Sequence, residues 1–133
     1  VQTGQCLSTL QGYNNRIRSM ALSSSRMLAC ATNHCITLRD LANQHTITQL
    51  KQHRGEVYSV AFTPDGKQLA SSCNEGIVKI WDVETKQCLQ TFHAHTGRIF
   101  KIVFHPTESW LMSAGSDSTI RIWDSSTFRC LQT

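Results

Sequence analysis

A segment of 42 residues repeats along this sequence and constrains its fold more than any other feature. Trp81-Asp82 and Trp123-Asp124 are 42 residues apart, and Arg39-Asp40 stands 42 residues before the first of these pairs. A similar hexapeptide ends at each position, as IVKIWD, TIRIWD and the degenerate CITLRD. A fixed period of about 20–50 residues is typical of repeat proteins, in which each copy folds as one small unit and packs on its neighbours.

Two further phrases recur with nearly the same spacing. The tetrapeptides that begin at Cys88 and Cys130 are both CLQT, and a weaker version, CLST, begins at Cys6. The segment that begins at His53 matches the one that begins at His95. Tyr13 begins the corresponding weaker segment. Three copies therefore cover almost the whole chain.

Each copy contains four short apolar runs separated by turn residues, which is typical of β-strands in an all-β protein. In the second copy Pro64 and Gly66 occupy positions suited to a tight turn. We find no helical periodicity. The predicted strands are Ile17–Leu22, Met27–Ala31, Cys35–Arg39, Thr46–Leu50, Val57–Phe62, Leu69–Ser72, Ile77–Trp81, Gln87–Phe92, Ile99–Phe104, Leu111–Ala114, Thr119–Trp123 and Phe128–Gln132.

The period and the Trp-Asp endings resemble those of the WD40 repeat family. The resemblance implies an all-β fold, a partial β-propeller of three four-stranded antiparallel blades. It divides the chain into a degenerate blade at 13–50 and further blades at 51–92 and 93–133. Residues 1–12 would hold an orphan outer strand, Cys6–Leu10, that belongs to a preceding blade.

The resemblance also implies a buried hydrogen-bond network of Asp, His, Ser or Thr, and Trp within a blade. The third copy matches at every position, with Asp117, His95, Ser113 and Trp123. The second copy has His53, Ser71 and Trp81, but Glu75 stands where Asp is expected. The first copy has Tyr13, Ala29, Asn33 and Arg39, so we expect no network there and a blade held by its sheet and apolar packing.

The same residues also admit a chemical interpretation. Ser113, His95 and Asp117 are the residue types of a nucleophilic triad. His93 and His95 are spaced like two metal ligands on one face of an extended segment. We prefer the structural interpretation, because the repeat accounts for the triad positions and no third metal ligand is in register. There is no Gly-x-x-x-x-Gly-Lys phosphate loop. We therefore expect no catalysis, metal or cofactor.

Charge and cysteine content limit the partners and the compartment. Lys and Arg exceed Asp and Glu by 13 to 9 without forming a cluster, so a nucleic-acid surface is not indicated. No apolar run reaches the roughly 18 residues of a membrane span. The six cysteines include no Cys-x-x-Cys pair, and free cysteines of this kind indicate a reducing, cytoplasmic location.

In WD40 proteins the narrow top face is the usual docking surface, and the resemblance assigns residues to it by repeat position. Tyr58 and Phe100 are the strongest candidates, because an aromatic residue beside a charge is typical of a binding hot spot. Alternatively, these two rings merely cover the rim of the channel. Trp110 lies outside this set, as a side contact or as edge packing. The assigned residues are Arg16, Arg18, Thr32, Glu56, Tyr58, Asn74, Arg98, Phe100 and Ser116.

We therefore expect a non-catalytic scaffold that binds a protein or peptide with acidic and apolar anchor residues, as part of a larger multidomain protein. One alternative is a regulatory repeat array attached to a signalling NTPase or a kinase. A fragment of a propeller enzyme is a further alternative. Three blades cannot close a ring, so we also expect the isolated chain 1–133 to self-associate or aggregate.

Overall fold

The computed structural model describes residues 4–13, 15–43 and 45–133, which form twelve β-strands and no helix. None of these residues therefore belongs to a helix long and apolar enough to cross a membrane. The strands are β1 (Ser19–Leu22), β2 (Met27–Ala31), β3 (Ile36–Asp40), β4 (His45–Leu50), β5 (Val57–Phe62), β6 (Gln68–Cys73), β7 (Ile77–Asp82), β8 (Cys88–His93), β9 (Ile99–Phe104), β10 (Trp110–Gly115), β11 (Ile120–Asp124) and β12 (Cys130–Gln132).

Each run of four consecutive strands forms one antiparallel sheet, in the order of the sequence. We call these sheets blade 1 (β1–β4), blade 2 (β5–β8) and blade 3 (β9–β12). The inner strands β1, β5 and β9 contact one another along the series. Within a blade, consecutive strands are connected by hairpins that turn residues close. In the first hairpin of blade 2, for example, Gly66 has φ +72° and donates its N–H to the Thr63 carbonyl at 2.8 Å.

The twelve strands predicted for the three blades all form, and β2, β5 and β9 have the predicted bounds. The outer strands β8 and β12 begin later than predicted, at Cys88 and Cys130. The reason is local. Lys86 and Phe128, two residues before these strands, adopt φ of 65° and 56°, a left-handed conformation that ends a turn and does not belong in a strand.

The orphan strand predicted at Cys6–Leu10 is not formed, and these residues belong to no sheet. A strand needs a hydrogen-bonding neighbour, and in each blade a fourth strand of its own already occupies the outer edge. Residues 1–3 of the predicted segment 1–12 lie outside the described residues. The predicted boundary at 50/51 falls between β4 and β5, and the one at 92/93 falls at the last residue of β8.

The core consists of two junctions, one between each pair of neighbouring blades. We call the side of a blade that faces the preceding blade its front, and the opposite side its rear. Strand alternation assigns residues to these sides, so Leu69 points forward and Ala70 backward. The first junction packs Ala29, Ile36, Leu38 and Leu50 against Val57, Val60, Leu69 and Trp81. The second junction packs Ala70, Val78 and Ile80 against Ile99, Ile102, Leu111 and Trp123.

A serine hydroxyl spans each junction. Ser19 Oγ accepts a hydrogen bond from the Val60 N–H at 3.3 Å, and Ser59 Oγ accepts one from the Ile102 N–H at 3.2 Å. Ser19 and Ser59 occupy the same position on their inner strands. Because the contacts repeat, neighbouring blades keep one relative arrangement, and residues at equivalent positions of the inner strands become neighbours.

Candidate protein-interaction face

The ring of Tyr58 lies beside two guanidinium groups from the neighbouring blades. Arg18 of blade 1 places its Cζ 4.7 Å from the ring centroid, and Arg98 of blade 3 places its Cζ 4.8 Å from it. The Arg98 Cζ is also 5.9 Å from the centroid of Phe100. These distances are typical of cation–π contacts. The four side chains therefore form one cluster across three blades, and we call it the stacked cluster.

Glu56 organises the blade 1 side of the stacked cluster. Its Oε2 accepts a hydrogen bond from Arg18 Nη2 at 3.0 Å and from the Tyr58 hydroxyl at 3.2 Å. Arg18 and Glu56 thus form a half-buried ion pair between blades 1 and 2. The charge of Arg18 is balanced, and the orientation of the Tyr58 ring is restrained.

The blade 3 side of the stacked cluster is open. Arg98 is exposed and forms no hydrogen bond or ion pair through its side chain with any described residue. Phe100 is 51% exposed. A stacked guanidinium with free N–H groups next to an exposed ring can accept a carboxylate and an apolar side chain together.

Asn74 and Ser116 lie next to this region through backbone contacts. The Asn74 N–H donates to the Glu56 carbonyl at 3.0 Å, and the Ser116 N–H donates to the Arg98 carbonyl at 2.8 Å. Gly97 permits the second approach, because a Cβ on it would lie 2.5 Å from Ser116 Oγ. The predicted loop and strand residues are therefore adjacent in both blades.

Two other assigned residues differ from this group. Arg16 is exposed and has no side-chain partner among the described residues. Thr32 is buried, and its hydroxyl donates to the Cys35 carbonyl at 3.2 Å. Its side chain is therefore engaged within blade 1, and we remove Thr32 from the candidate face.

Blade 3 contains a continuous hydrogen-bonded network whose His95, Ser113 and Trp123 are buried. The Trp123 indole N–H donates to Ser113 Oγ at 2.9 Å, and Ser113 Oγ lies 2.7 Å from His95 Nε2. His95 Nδ1 lies 2.9 Å from Asp117 Oδ1. Hydrogen bonds from the Thr119 hydroxyl and from His95 hold the pKa of Asp117 well below its usual range.

Blade 2 contains only part of this arrangement. His53 Nε2 lies 2.6 Å from Ser71 Oγ, which accepts the Trp81 indole N–H at 2.8 Å. His53 Nδ1 is buried and has no hydrogen-bond partner among the described residues, while Glu75 is exposed. Burial, with a smaller effect of Lys79, lowers the pKa of His53 to about 4.

Blade 1 replaces the network with a different polar contact. The Arg39 Cζ lies 5.0 Å from the centroid of Tyr13, and Arg39 Nη2 donates to the Gln11 carbonyl at 2.8 Å. Burial and a hydrogen bond from Cys30 raise the pKa of Tyr13 to about 12. The expectation that blade 1 is held by its sheet and apolar packing alone was therefore wrong. The sequence signal for the different contact was that Tyr13 and Arg39 replace His and Trp together.

The strand register also corrects one assignment. Cys30, and not Ala29, occupies the position of Ser71, because Met20 pairs with Cys30 as Val60 pairs with Ser71.

Ser113, His95 and Asp117 lie at hydrogen-bonding distances like a catalytic triad, but burial argues against the triad interpretation. Ser113 is 1% exposed and already accepts the Trp123 N–H, so a substrate could not reach its hydroxyl. Among the described residues no three His, Cys, Asp or Glu side chains are grouped to hold a metal ion.

All six cysteine thiols are free. Trp110 is partly exposed and packs against the His105 ring with a centroid separation of 5.2 Å.

Comparison with known proteins supports the assignment of the fold. The family model described as "WD domain, G-beta repeat" matches residues 44–82 and 86–124, more than half of the chain. The first matched segment runs from β4 to the end of β7, so the family's repeat is out of phase with the blade. A solved structure, the WD40 repeats of RRP9, superposes with a TM-score of 0.87 at 20% identity, covering 92% of this chain and 39% of that one.

Curated relatives match over shorter segments. The target of rapamycin complex subunit LST8 of Saccharomyces cerevisiae is 29% identical over 86 residues, which is 62% of this chain and 28% of LST8. The anaphase-promoting complex subunit cdh1 of Dictyostelium discoideum is 33% identical over 76 residues, 55% of this chain and 10% of cdh1. The small ribosomal subunit protein RACK1 of Candida albicans is 27% identical over 92 residues, 66% of this chain and 29% of RACK1. The chain thus spans less than a third of each relative.

Proposed function

We propose, from the premise that this chain belongs to the WD40 repeat family, that it is a non-catalytic module that binds a protein or peptide through the stacked cluster. Function in such folds resides on exposed loops and strand ends, while the blades provide a rigid support. The contacts across both blade junctions hold Arg18, Tyr58, Arg98 and Phe100 in a fixed arrangement before any partner binds. Preorganisation of this kind lowers the entropy cost of association.

The observation that carries the proposal is the open pair of Arg98 and Phe100. Aromatic and arginine side chains contribute most of the binding energy in many interfaces. Arg98 stacks on Tyr58 and on Phe100, and its N–H groups have no acceptor among the described residues. Because Glu56 balances Arg18, the unbalanced positive charge of the stacked cluster comes from Arg98.

The partner that this chemistry favours carries an acidic residue next to an apolar or aromatic one. The acidic side chain would pair with Arg98, and the apolar side chain would cover Phe100. In such an interface the charge of Arg98 steers the encounter with the partner, and burial of the Phe100 ring contributes most of the affinity. The similar proteins include subunits of the target of rapamycin complex and of the anaphase-promoting complex and a small ribosomal subunit protein, which is consistent with a scaffold role.

We further propose a cytoplasmic location. Six free thiols, two of them buried, persist most readily in a reducing compartment. Attachment to a larger multidomain protein would place the face next to other modules.

A random peptide library displayed on phage tests the function. Selection on the chain should enrich peptides in which Asp or Glu stands beside Leu, Phe or Trp. Phe100→Ala and Arg98→Glu should each reduce binding of a selected peptide at least tenfold, as measured by calorimetry. The matched controls are Leu89→Ala, at a similarly exposed apolar residue on β8, and Arg129→Glu, at an exposed charge before β12.

Loss of binding in the controls, with the Phe100 and Arg98 variants unaffected, would show that the peptide binds at the side of the blades and not at the stacked cluster. Enrichment of peptides without acidic residues would reject the proposed partner chemistry.

A further inference from the structure

A groove lies between blades 2 and 3, at the ends of the inner strands that are opposite the stacked cluster. We call it the turn groove, because the turns at residues 63–68 of blade 2 and 106–109 of blade 3 form most of its lining. Phe100 is the second residue of β9, and Phe104, the last residue of β9, lines the groove. The strand rise places the two surfaces about 13 Å apart. The groove encloses about 390 Å³, within the range of roughly 300–1,000 Å³ that is typical of binding sites.

The lining of the turn groove is partly apolar. Phe104 is half-buried, since it packs against the second junction and also lines the groove. Pro64 and Pro106 occupy the same repeat position, line the groove from the two blades and are exposed. These three rings offer an apolar side chain a surface to cover. Because the rim residues are exposed, a small molecule would stay largely in contact with water, whereas a polypeptide segment would cover the groove.

On the blade 2 wall a carboxylate is held in place by its own turn. Asp65 Oδ1 accepts hydrogen bonds from the Thr63 hydroxyl at 2.6 Å and from the Lys67 N–H at 2.9 Å. These hydrogen bonds hold the pKa of Asp65 below its ordinary value, so the side chain is ionised at neutral pH. No described residue donates a hydrogen bond to Asp65 Oδ2. This oxygen can therefore accept one from a partner.

On the blade 3 wall a second carboxylate projects from a fixed backbone. The Glu108 N–H donates to His105 Nδ1 at 2.9 Å, and the Glu108 carbonyl accepts the Trp110 N–H at 2.9 Å. The Glu108 side chain is exposed and forms no hydrogen bond or ion pair with any described residue. Its carboxylate is therefore free to accept a charge-assisted hydrogen bond.

The turn groove carries a net negative charge. Asp65 and Glu108 contribute two carboxylates, whereas Lys67 is the one cation among the described lining residues. Lys67 is exposed and forms no ion pair with a described residue. At the stacked cluster the unbalanced charge is the positive charge of Arg98. The two ends of the inner strands therefore favour partners of opposite charge.

We propose that the turn groove is a second binding surface, which takes a polypeptide segment with Arg or Lys beside an apolar residue. The basic side chain would pair with Glu108 and with Asp65 Oδ2, and the apolar side chain would cover Phe104. Arginine suits this site because its planar guanidinium has five N–H donors and can reach carboxylates on both walls. The same carboxylates would repel the phosphates of a nucleic acid. The chain would thus hold two segments of opposite charge at opposite ends of the same strands.

Fluorescence anisotropy with the labelled pentapeptide LRFRL tests the proposal. A comparison peptide carries citrulline, an uncharged analogue of similar shape, in place of both arginines. The arginine peptide should bind the unsubstituted chain about fivefold more tightly or better, the range of one charge-assisted hydrogen bond. Glu108→Lys should weaken its binding about tenfold, because attraction is replaced by repulsion. Lys67→Met should tighten it roughly twofold to fivefold, because a like charge is removed.

Glu84→Lys is the matched control. Glu84 is exposed and lines the neighbouring groove, between blades 1 and 2. The same charge reversal there should change the affinity by less than about twofold. Equal weakening by Glu108→Lys and Glu84→Lys would show general attraction to an acidic surface and would overturn the proposal. Equal binding of the arginine and citrulline peptides, or no binding of either, would also overturn it.

Glu108→Gln separates this inference from the proposed function. It should weaken binding of the arginine peptide about threefold and leave binding of an acidic peptide at the stacked cluster unchanged. Loss of the acidic peptide in this variant would mean that the two surfaces are not independent, and would overturn the proposal. If circular dichroism shows that Glu108→Lys has lost its sheet structure, Glu108→Gln and Lys67→Met still give opposite expected changes. Weakening in both, or in neither, would count against the turn groove.

Discussion

His95 Nδ1 lies 2.9 Å from Asp117 Oδ1, and this contact distinguishes blade 3 from blade 2. At the equivalent position, His53 Nδ1 is buried without a hydrogen-bond partner among the described residues. Glu75, which replaces the aspartate, is one methylene longer and its side chain is exposed. A buried polar atom without a hydrogen-bond partner costs free energy, so the unpaired nitrogen of His53 destabilises blade 2.

The first prediction is that Glu75→Asp stabilises the chain. The shorter carboxylate should reach His53 Nδ1 as Asp117 reaches His95, with a gain of about 1 kcal/mol in the free energy of unfolding. It should also raise the depressed pKa of His53, because a carboxylate favours the charged imidazole. Urea denaturation and an NMR titration measure the two effects. Unchanged stability together with an unchanged His53 pKa would show that the turn cannot bring the carboxylate to the ring.

A second prediction concerns pH. The pKa of His53 is lowered from its ordinary value of 6.5 to about 4 by burial. Between these values the unfolded chain binds more protons, so stability rises with pH and is lost as the pH falls from 6.5 towards 4. The loss through this one group is about 3 kcal/mol. Urea denaturation across this range should show a shallower pH dependence for His53→Gln than for the unsubstituted chain. Equal slopes would mean that His53 titrates normally.

Removal of the central hydroxyl in blade 3 gives a third prediction. Ser113→Ala should leave the Trp123 N–H and one nitrogen of His95 without their partner. We expect a loss of about 1–3 kcal/mol in the free energy of unfolding, measured with urea. Ser116→Ala, at an exposed serine, should change it by less than about 0.5 kcal/mol. Similar losses in the two variants would argue against the network as a stabilising element.

Gly76 and Ser118 give a fourth prediction, because they occupy the same repeat position with φ of +79° and +65°. A Cβ on Gly76 would lie 1.9 Å from the His95 carbonyl oxygen. Gly76→Ser should therefore lower the free energy of unfolding by about 3 kcal/mol or more, because the positive φ disfavours a side chain and the new Cβ would clash with the His95 carbonyl oxygen. Ser118→Gly should stabilise by about 1 kcal/mol, because glycine adopts this conformation without strain. Thermal melting of both variants tests the opposite signs.

The fifth prediction concerns salt. Arg98 is exposed, so dissolved ions screen its attraction to an acidic peptide, which decays over a Debye length of about 10 Å at 0.1 M ionic strength. Binding of a selected peptide should weaken as salt rises, and Arg98→Glu should remove most of this dependence. Phe100→Ala should lower affinity to a similar extent at low and high salt, because burial of the ring is not an ionic contact. A salt dependence that survives Arg98→Glu would assign the charge contact to another residue.

The strands were predictable because their signal is local. Alternating apolar residues and turn residues define Val57–Phe62 and Ile99–Phe104 at both ends, and the structure has the same bounds. The bounds failed where backbone conformation rather than side-chain pattern decides, as at Phe128, whose φ of 56° shortens β12.

The contacts at the candidate face were less predictable. The repeat position of Tyr58, Arg18 and Arg98 placed these residues at one end of the inner strands. It did not indicate that two guanidinium groups lie beside the one ring or that Glu56 pairs with Arg18. Those contacts depend on the offset between neighbouring blades, which packing at the junctions sets.

By itself, the sequence determined the repeat and the four-stranded unit, because both follow from spacing along one chain, and the family resemblance supplied the network positions of blades 2 and 3. The tertiary structure decided which polar groups meet. It joined His95 to Asp117, left His53 without a partner at Nδ1 and replaced the network of blade 1 by the contact of Arg39 with Tyr13. Spacing specifies which face of a strand a side chain occupies, whereas a hydrogen bond or a stacked ring requires two atoms from different segments to meet within a few tenths of an ångström, and only the packed chain sets that distance.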